Sequence, residues 1–83
     1  MSTKLFVGSL PYSVNDEELK ETFEKHGNVI SAKVITDRDT RKSRGFGFVE
    51  MMNPTDATKA IKILNDSKLD GRNIVVNEAT PRN

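Results

Sequence analysis

The stretch from residue 44 to residue 51, RGFGFVEM, constrains the fold more than any other part of the chain. Two Phe residues, a Val and the lack of Pro predict a β-strand, in which successive side chains point to opposite faces. One face of this strand carries two rings and two charges, at Arg44, Phe46, Phe48 and Glu50. The other face carries small or apolar side chains, at Gly45, Gly47, Val49 and Met51.

The alternation predicts that the apolar face of this strand is buried and that its aromatic face meets solvent. Charged side chains are rarely buried without partners, because leaving water is costly, so Arg44 and Glu50 belong at the surface. Glycines on the opposite face allow a covering helix to come close. An exposed pair of rings points to a binding role. The alternative is a bulge that buries one ring, or ordinary scatter of apolar residues on a surface.

A second strand is predicted over residues 4–10, and it repeats the same arrangement. Leu5 and Val7 point to one face. The opposite face carries a cation, a ring and a glycine, at Lys4, Phe6 and Gly8. Three of the four Phe residues therefore share a face with charged residues, which weakens the explanation by accidental exposure.

Two helices are predicted from their end signals and apolar spacing. The first follows the N-cap Asn15, with Glu18 three residues on, and ends before Gly27 as its C′ residue. The second follows the N-cap Asn53 and has Pro at its first position. Its apolar stripe has the spacing of an amphipathic helix, at Ala57, Ala60, Ile61 and Leu64.

Two more strands are predicted, over residues 29–36 and 73–78. In the earlier one, Ile30, Ala32 and Val34 share one parity, unless a bulge at Val29 shifts them. The opposite parity is taken by Ser31, Lys33 and Ile35. In the last strand, Ile74 and Val76 lie on one side, and the other side carries Asn73, Val75 and Asn77.

The polar loop over residues 37–43 leads into the aromatic strand, and its cations lie toward its end, at Arg41 and Lys42. Most charged loops are merely solvated, but this one lies beside exposed rings, which favours phosphate contacts. Tyr12 is expected to pack beside the first helix, with stacking on a ligand as the alternative. His26, the only His, is expected in the last turn of that helix, where packing or a helix-dipole contact explains it.

The order strand, helix, strand, strand, helix, strand predicts an α+β fold of the ferredoxin-like type. In this fold both helices cover one face of a four-stranded antiparallel sheet and leave the other face to solvent. Parity places Phe6, Phe46 and Phe48 on the solvent face. We expect residues 1–83 to form a single domain with a core over about residues 3–80.

Composition argues against several other classes of protein. There is no Cys, so we expect no disulfide and no thiolate metal site, which fits a reducing compartment and an intracellular, cytoplasmic location, or a nucleus or organelle in a eukaryote. No apolar run is long enough to span a membrane, and no signal-peptide pattern is seen. Net charge is +1, so attraction for phosphate must come from local patches. We expect no cofactor, no metal and no catalytic activity, because the spacing indicates no nucleophile–base pair.

Residues 44–51 resemble the eight-residue signature of the RNA recognition motif at every defined position except Met51. Residues 5–10, LFVGSL, resemble the companion motif of that family, with Ser9 where Asn is more usual. The resemblance covers about residues 3–80. Within this family, the sequence is most similar to small single-motif RNA-binding proteins, which include bacterial ones and the glycine-rich plant type.

The resemblance implies a monomeric domain that binds single-stranded RNA, with a post-transcriptional role. Phe6 and Phe48 would stack on two successive bases, Phe46 would pack against sugars, and Arg44 would pair with a phosphate. Stacking requires unpaired bases, and a guanidinium suits phosphate geometry. Further contacts are expected at Lys4, Lys33, Arg41, Lys42 and Asn77, and from main-chain groups from Ala79 onward.

Two other ligands are alternatives. Single-stranded DNA offers the same stacking surface, and some family members hold peptides. Acylphosphatases and metal chaperones share the strand order, but a chaperone of that type needs a Cys pair. The hydrolase needs a phosphate-binding loop after the first strand, and here that loop has no Gly and contains Pro11.

Overall fold

The computed structural model describes residues 2–79 and shows the predicted order of the main elements. The tail beyond residue 79, including Pro81 and the last residue of the expected core, lies outside the described range. The elements in chain order are β1 (Thr3–Gly8), α1 (Asp16–Glu24), β2 (Val29–Thr36), β3 (Ser43–Met51), α2 (Pro54–Leu64), β4 (Lys68–Leu69), β5 (Arg72–Asn73) and β6 (Val75–Glu78).

Four strands form an antiparallel sheet in the order β2–β3–β1–β6, which confirms the ferredoxin-like α+β prediction. The two motif-bearing strands, β1 and β3, are therefore its central pair. A short hairpin of β4 and β5 precedes β6 and was not predicted. It takes up Asn73, so the last strand of the main sheet begins at Val75 rather than two residues earlier.

The core lies between the helices and one face of this sheet. Leu5, Val7, Val49 and Met51 are fully buried, as the alternation in β1 and β3 predicts. The helices contribute buried side chains to the same cluster, at Leu19, Phe23, Ala57, Ala60 and Leu64. The face of the sheet opposite the helices is called the open face below.

Close packing under α1 depends on the absence of a side chain at Gly47. A Cβ there would lie 3.3 Å from Cδ2 of Leu19 in α1 and 2.5 Å from the carbonyl oxygen of Lys33 in β2. The second distance is far below normal contact, and a backbone oxygen cannot move aside easily. The structure thus agrees with the expectation that a glycine on this face permits close approach.

The two helices begin as predicted but differ in their caps. Asn15 Oδ1 accepts a hydrogen bond from the Glu18 N–H at 2.8 Å, which satisfies a free amide of α1. Asn53 occupies the N-cap position of α2 without a side-chain bond to the backbone, and its amide instead donates to Asp56 at 3.3 Å.

Helix α1 ends earlier than predicted. Its C-cap is Lys25, so His26 follows the helix instead of lying in its last turn. Gly27 has a φ of 155°, and a Cβ there would lie 2.5 Å from the Cβ of Asp56 in α2. This glycine is therefore needed for the close approach of the chain to the start of α2.

A bulge in β2 sets which of its residues face the core. Pairing with β3 passes from Val29–Met51 directly to Ser31–Glu50, so Ile30 is an extra residue. Val34 is buried, whereas Ile30 is 49% exposed. The prediction that Ile30 and Val34 lie on the same face of β2 is therefore wrong. The cause is the bulge next to Val29, which was the alternative stated for this strand from its sequence.

Candidate nucleic-acid interface

Three aromatic rings meet on the open face, as the alternation in β1 and β3 predicts. The ring centroids of Phe6 and Phe48 are 5.9 Å apart, those of Phe6 and Phe46 are 5.9 Å apart, and those of Phe46 and Phe48 are 6.3 Å apart. The rings are tilted or edge-on to one another, and each is half-buried. Each ring thus supports its neighbours and still presents surface to solvent.

Strand register places two of these rings in a line that crosses the whole sheet. Phe6 is paired with Phe48 on one side and with Asn77 on the other, and Phe48 is paired with Lys33. This central row therefore reads Asn77, Phe6, Phe48, Lys33 from β6 to β2. Four of the residues predicted for the site lie side by side in it.

A second row lies on one side of the central row and contains the third ring. Gly8 is paired with Phe46 and with Val75, and we call these three residues the glycine row. A Cβ on Gly8 would lie 2.9 Å from Cε2 of Phe6, so the Phe6 ring leans over the glycine. Val75 is 38% exposed and extends the apolar surface. The alternation placed Val75 on the correct side, but sequence reasoning gave it no role.

A third row lies on the other side and carries charge. Lys4 is paired with Glu50, and Glu50 is paired with Ser31, so these residues form the charged row. Lys4 and Ser31 are exposed and Glu50 is half-buried. The Lys4 carbonyl accepts a hydrogen bond from the Ala79 N–H at 2.8 Å, so that amide is engaged by the sheet.

The remaining predicted cations lie at the β2–β3 end of the sheet. Arg41 and Lys42 belong to the loop and Arg44 to the start of β3, and all three are exposed. The loop is held by Asp37, whose carboxylate accepts N–H bonds from Asp39 at 2.8 Å and Thr40 at 3.2 Å.

These hydrogen bonds lower the pKa of Asp37, and the nearby Arg44 guanidinium adds a smaller effect in the same direction. The Asp37 carboxylate therefore stays ionised to a lower pH than an ordinary carboxyl and continues to accept the two loop amides there.

Tyr12 departs from its prediction. Its ring is 70% exposed instead of packed beside α1, and Gly45 lies beneath it. The Leu10 N–H donates to the Gly45 carbonyl at 2.8 Å, which brings the β1–α1 loop over β3. Together with Arg41, Tyr12 lines a cleft of about 400 Å³. Periodicity carries no information on such loop placement.

Among residues 2–79, no group of three or more His, Cys, Asp or Glu side chains is arranged to hold a metal ion. No helix in this part of the chain combines the length and apolar character needed to cross a membrane. What the open face offers is a stacking surface with donors and cations around it.

Comparison with known proteins gives consistent matches. The RNA recognition motif family model matches residues 5–75. The 28 kDa chloroplastic ribonucleoprotein of Spinacia oleracea is 51% identical over 79 residues, which covers 95% of this chain and 34% of that protein. The chain spans between about a quarter and a half of the length of the first curated relatives it matches.

Solved structures agree with these sequence matches. The crystal structure of RNA binding protein PG1 superposes with a TM-score of 0.92 at 47% identity, and 98% of each chain is covered. The Sxl-lethal protein/RNA complex superposes with a TM-score of 0.91 at 30% identity, and covers 100% of this chain and 50% of that one.

Proposed function

The chain belongs to the RNA recognition motif family, and from this membership we propose that it binds single-stranded RNA on its open face. The observation that carries the proposal is the central row, where Phe6 and Phe48 lie on paired strands with ring centroids 5.9 Å apart. An RNA complex among the structural neighbours supports RNA as the ligand. Membership also favours a binding protein over an enzyme.

The two central rings suit two unpaired bases. Bases stacked on each other in a duplex are about 3.4 Å apart, whereas these ring centroids are 5.9 Å apart. Two successive bases can therefore each occupy one ring only if they are spread apart, as they are in single strands. Phe46, at one side of both rings, would then pack against sugar.

The polar residues beside the rings can contact the phosphate backbone of the RNA and the edges of its bases. Lys33 and Asn77 stand at the two ends of the central row. A lysine beside a stacked base can pair with phosphate, and an Asn amide can donate to and accept from a base edge. Further phosphate contacts would come from Lys4, Arg41, Lys42 and Arg44. Of the main-chain groups proposed from Ala79 onward, those past residue 79 lie outside the described residues.

The affinity should be modest. Stacking contributes about 1–3 kcal/mol per base, so two stacks and a few phosphate contacts total roughly 4–8 kcal/mol before the strand is ordered. A micromolar dissociation constant corresponds to about 8.2 kcal/mol. We therefore expect micromolar or weaker binding to a short RNA, with modest sequence preference and a shallow dependence on salt.

Titration with three labelled ligands tests the ligand class. A random RNA hexamer, its DNA analogue and an RNA duplex of equal length are compared by fluorescence anisotropy. The single-stranded RNA is expected to bind at least about tenfold more tightly than the duplex, because paired bases cannot reach the rings. Equal binding of the duplex would contradict the proposal, and stronger binding of the DNA hexamer would favour single-stranded DNA as the ligand.

Two variants test the surface. Phe6→Ala and Phe48→Ala are each expected to weaken RNA binding by about tenfold or more. Ile63→Ala, which removes a 55%-exposed apolar side chain from α2, is the matched control and should bind like the parent protein. If the two ring variants also bind like the parent, the open face is not the RNA site. If no nucleic acid binds, the peptide-binding alternative is favoured.

We further infer a monomeric domain with a post-transcriptional role in an intracellular compartment. A chloroplastic ribonucleoprotein among the relatives supports a cytoplasmic or organellar location. Sedimentation of the protein at the concentrations used for binding tests the monomer. A dimer under those conditions would contradict it.

A further inference from the structure

One carboxylate stands among the residues that the register places on the open face. Glu50 lies in the charged row, paired with Lys4 and Ser31. The general role of the open face does not explain it, because a negative charge repels the phosphates of a bound strand. The surface around Glu50 therefore suits a part of the ligand other than the phosphate backbone.

The position of Glu50 relative to the rings is fixed by β3. It follows Phe48 by two residues and shares its face, so the two Cα atoms are separated by roughly 7 Å along the strand. The pairing of Lys4 with Glu50 and of Phe6 with Phe48 is regular there, and no bulge intervenes. A base that stacks on Phe48 therefore has one of its edges within reach of the carboxylate.

The hydrogen-bond acceptor sites of Glu50 determine which base edges can bind to it. Its Oε2 accepts one hydrogen bond, from the Ser2 hydroxyl, and no donor to Oε1 is described among residues 2–79. Each carboxylate oxygen has two acceptor sites, so both oxygens can still accept a hydrogen bond from a ligand. An ionised carboxylate only accepts hydrogen bonds. Base edges that present carbonyl oxygens or ring acceptors are repelled, and edges that present N–H groups are attracted.

The four bases differ in this respect. Guanine has two adjacent donor groups on its Watson–Crick edge, N1–H and the N2 amino group. Adenine and cytosine each have an amino group beside a ring acceptor. Uracil has a single N–H between two carbonyl oxygens. Only guanine offers a carboxylate two neighbouring donors without an acceptor between them.

We propose that Glu50 makes the open face selective for guanine at the base that stacks on Phe48. The inference rests on the proposed function, since it names a base within the same surface. It differs from a purely structural role, in which Glu50 would only attract Lys4 across the strands and hold Ser2. A structural role would change the stability of the protein and leave the ranking of bases as it was.

The test compares three proteins and three RNA hexamers. The proteins are the parent, Glu50→Gln, and Glu21→Gln as a control that removes the same charge from the exposed side of α1. The hexamers are all uracil, uracil with one central guanine, and uracil with inosine in place of that guanine. Inosine keeps N1–H and lacks the N2 amino group. Each result is a ratio of dissociation constants within one protein, which cancels the general effect of charge.

The parent protein is expected to bind the guanine hexamer about tenfold more tightly than the all-uracil hexamer, with inosine between them. Glu50→Gln should reduce this ratio to about twofold or less, because the amide supplies a donor as well as an acceptor. Glu21→Gln should keep the parent ratio. Unfolding midpoints measured in parallel identify any variant that is simply less stable.

Two results would contradict the guanine selectivity and leave the proposed RNA binding intact. The first is equal binding of the guanine and all-uracil hexamers by the parent, while Phe48→Ala, measured beside these three proteins as the ring variant, weakens the binding of both. The second is a guanine preference that survives in Glu50→Gln. If none of the hexamers binds the parent, the proposed function fails and this inference fails with it.

Discussion

The core face and the open face of the sheet are built from alternate residues of the same strands, and they differ in how completely they are covered. Leu5 is fully buried beneath the helices, whereas its neighbour Phe6 is half-buried and leans over Gly8 on the other side. The apolar side chains of the core face pack against one another and against the helices, and are removed from water. Those of the open face contact one another and leave surface for a ligand.

Because of this difference, alternate residues of a single strand contribute to different properties, the core-face residues to stability and the open-face residues to RNA binding. Burial of apolar area under the helices stabilises the fold, at about 25 cal/mol for each Å² removed from water. The rings of the open face are only partly buried, so each gains less from folding than a fully buried core side chain and keeps surface for a ligand. Substitutions one residue apart should therefore change different measured quantities.

The largest effect is expected for Leu5→Ala. Removing a fully buried leucine typically costs 2–5 kcal/mol, and we expect about 3 kcal/mol here. That is a large fraction of the total stability of a small domain. Chemical denaturation followed by circular dichroism measures the loss, and the RNA affinity of the folded fraction should be unchanged.

Phe6→Ala is the partner measurement for Leu5→Ala. Its free energy of unfolding should fall by about 1–2 kcal/mol, less than that of Leu5→Ala because the ring is only partly buried, while RNA binding weakens as proposed above. Equal losses of stability and equal losses of RNA binding in Leu5→Ala and Phe6→Ala would contradict the different roles of the two faces.

A smaller loss of stability than that of Leu5→Ala is expected for Gly47→Ala, also on the core face. The added methyl group would lie 2.5 Å from the Lys33 carbonyl oxygen, so β2 and β3 must move apart. Overpacking of this kind costs about 1–3 kcal/mol, measured as a shift in the denaturation midpoint. A variant as stable as the parent protein would show that the two strands adjust freely.

Gly8→Ala is the corresponding change on the open face. Its methyl group would meet Cε2 of Phe6 at 2.9 Å, and a ring edge can turn aside more easily than a backbone carbonyl. We expect stability to change by less than about 1 kcal/mol and RNA binding to weaken a few-fold, because the displaced ring no longer lies flat for a base. Loss of stability as large as that of Gly47→Ala would contradict this difference.

The smallest effect concerns the β2–β3 loop and pH. Asp37 has a lowered pKa in the folded protein, so its stabilisation of the loop is complete above the unfolded value of 3.8 and is lost as pH falls through the lower folded pKa. The amide resonances of Asp39 and Thr40 should therefore hold their positions down to about pH 4 and move only below it. Movement between pH 7 and pH 5 would contradict this assignment.

The separation of the two faces could be read from the sequence because it depends only on alternation. Charges at Arg44 and Glu50 indicated which side of β3 meets water, and β1 repeated the pattern. The order of helices and strands then gave the fold, since few arrangements accommodate it. The cap at Asn15 was equally local and was also found.

What the sequence did not reveal depends on contacts between distant parts of the chain. The bulge that exposes Ile30 arises in the pairing of β2 with β3, and the position of Tyr12 depends on where its loop crosses Gly45. Ser9 has a φ of 55°, a conformation that Asn tolerates better than Ser, which explains the usual Asn at this position of the family motif. Strand register, loop position and a positive φ depend on the folded chain and cannot be predicted from the spacing of apolar residues.

Chemical-shift mapping of the protein during titration with a single-stranded RNA hexamer shows directly whether the open face is the RNA site. The largest changes should fall on the ring resonances of Phe6 and Phe48 and on the amides of the central row, with the outer sides of α1 and α2 unaffected. Changes confined to the helices, with the ring resonances of Phe6 and Phe48 unmoved at saturation, would contradict RNA binding on the open face.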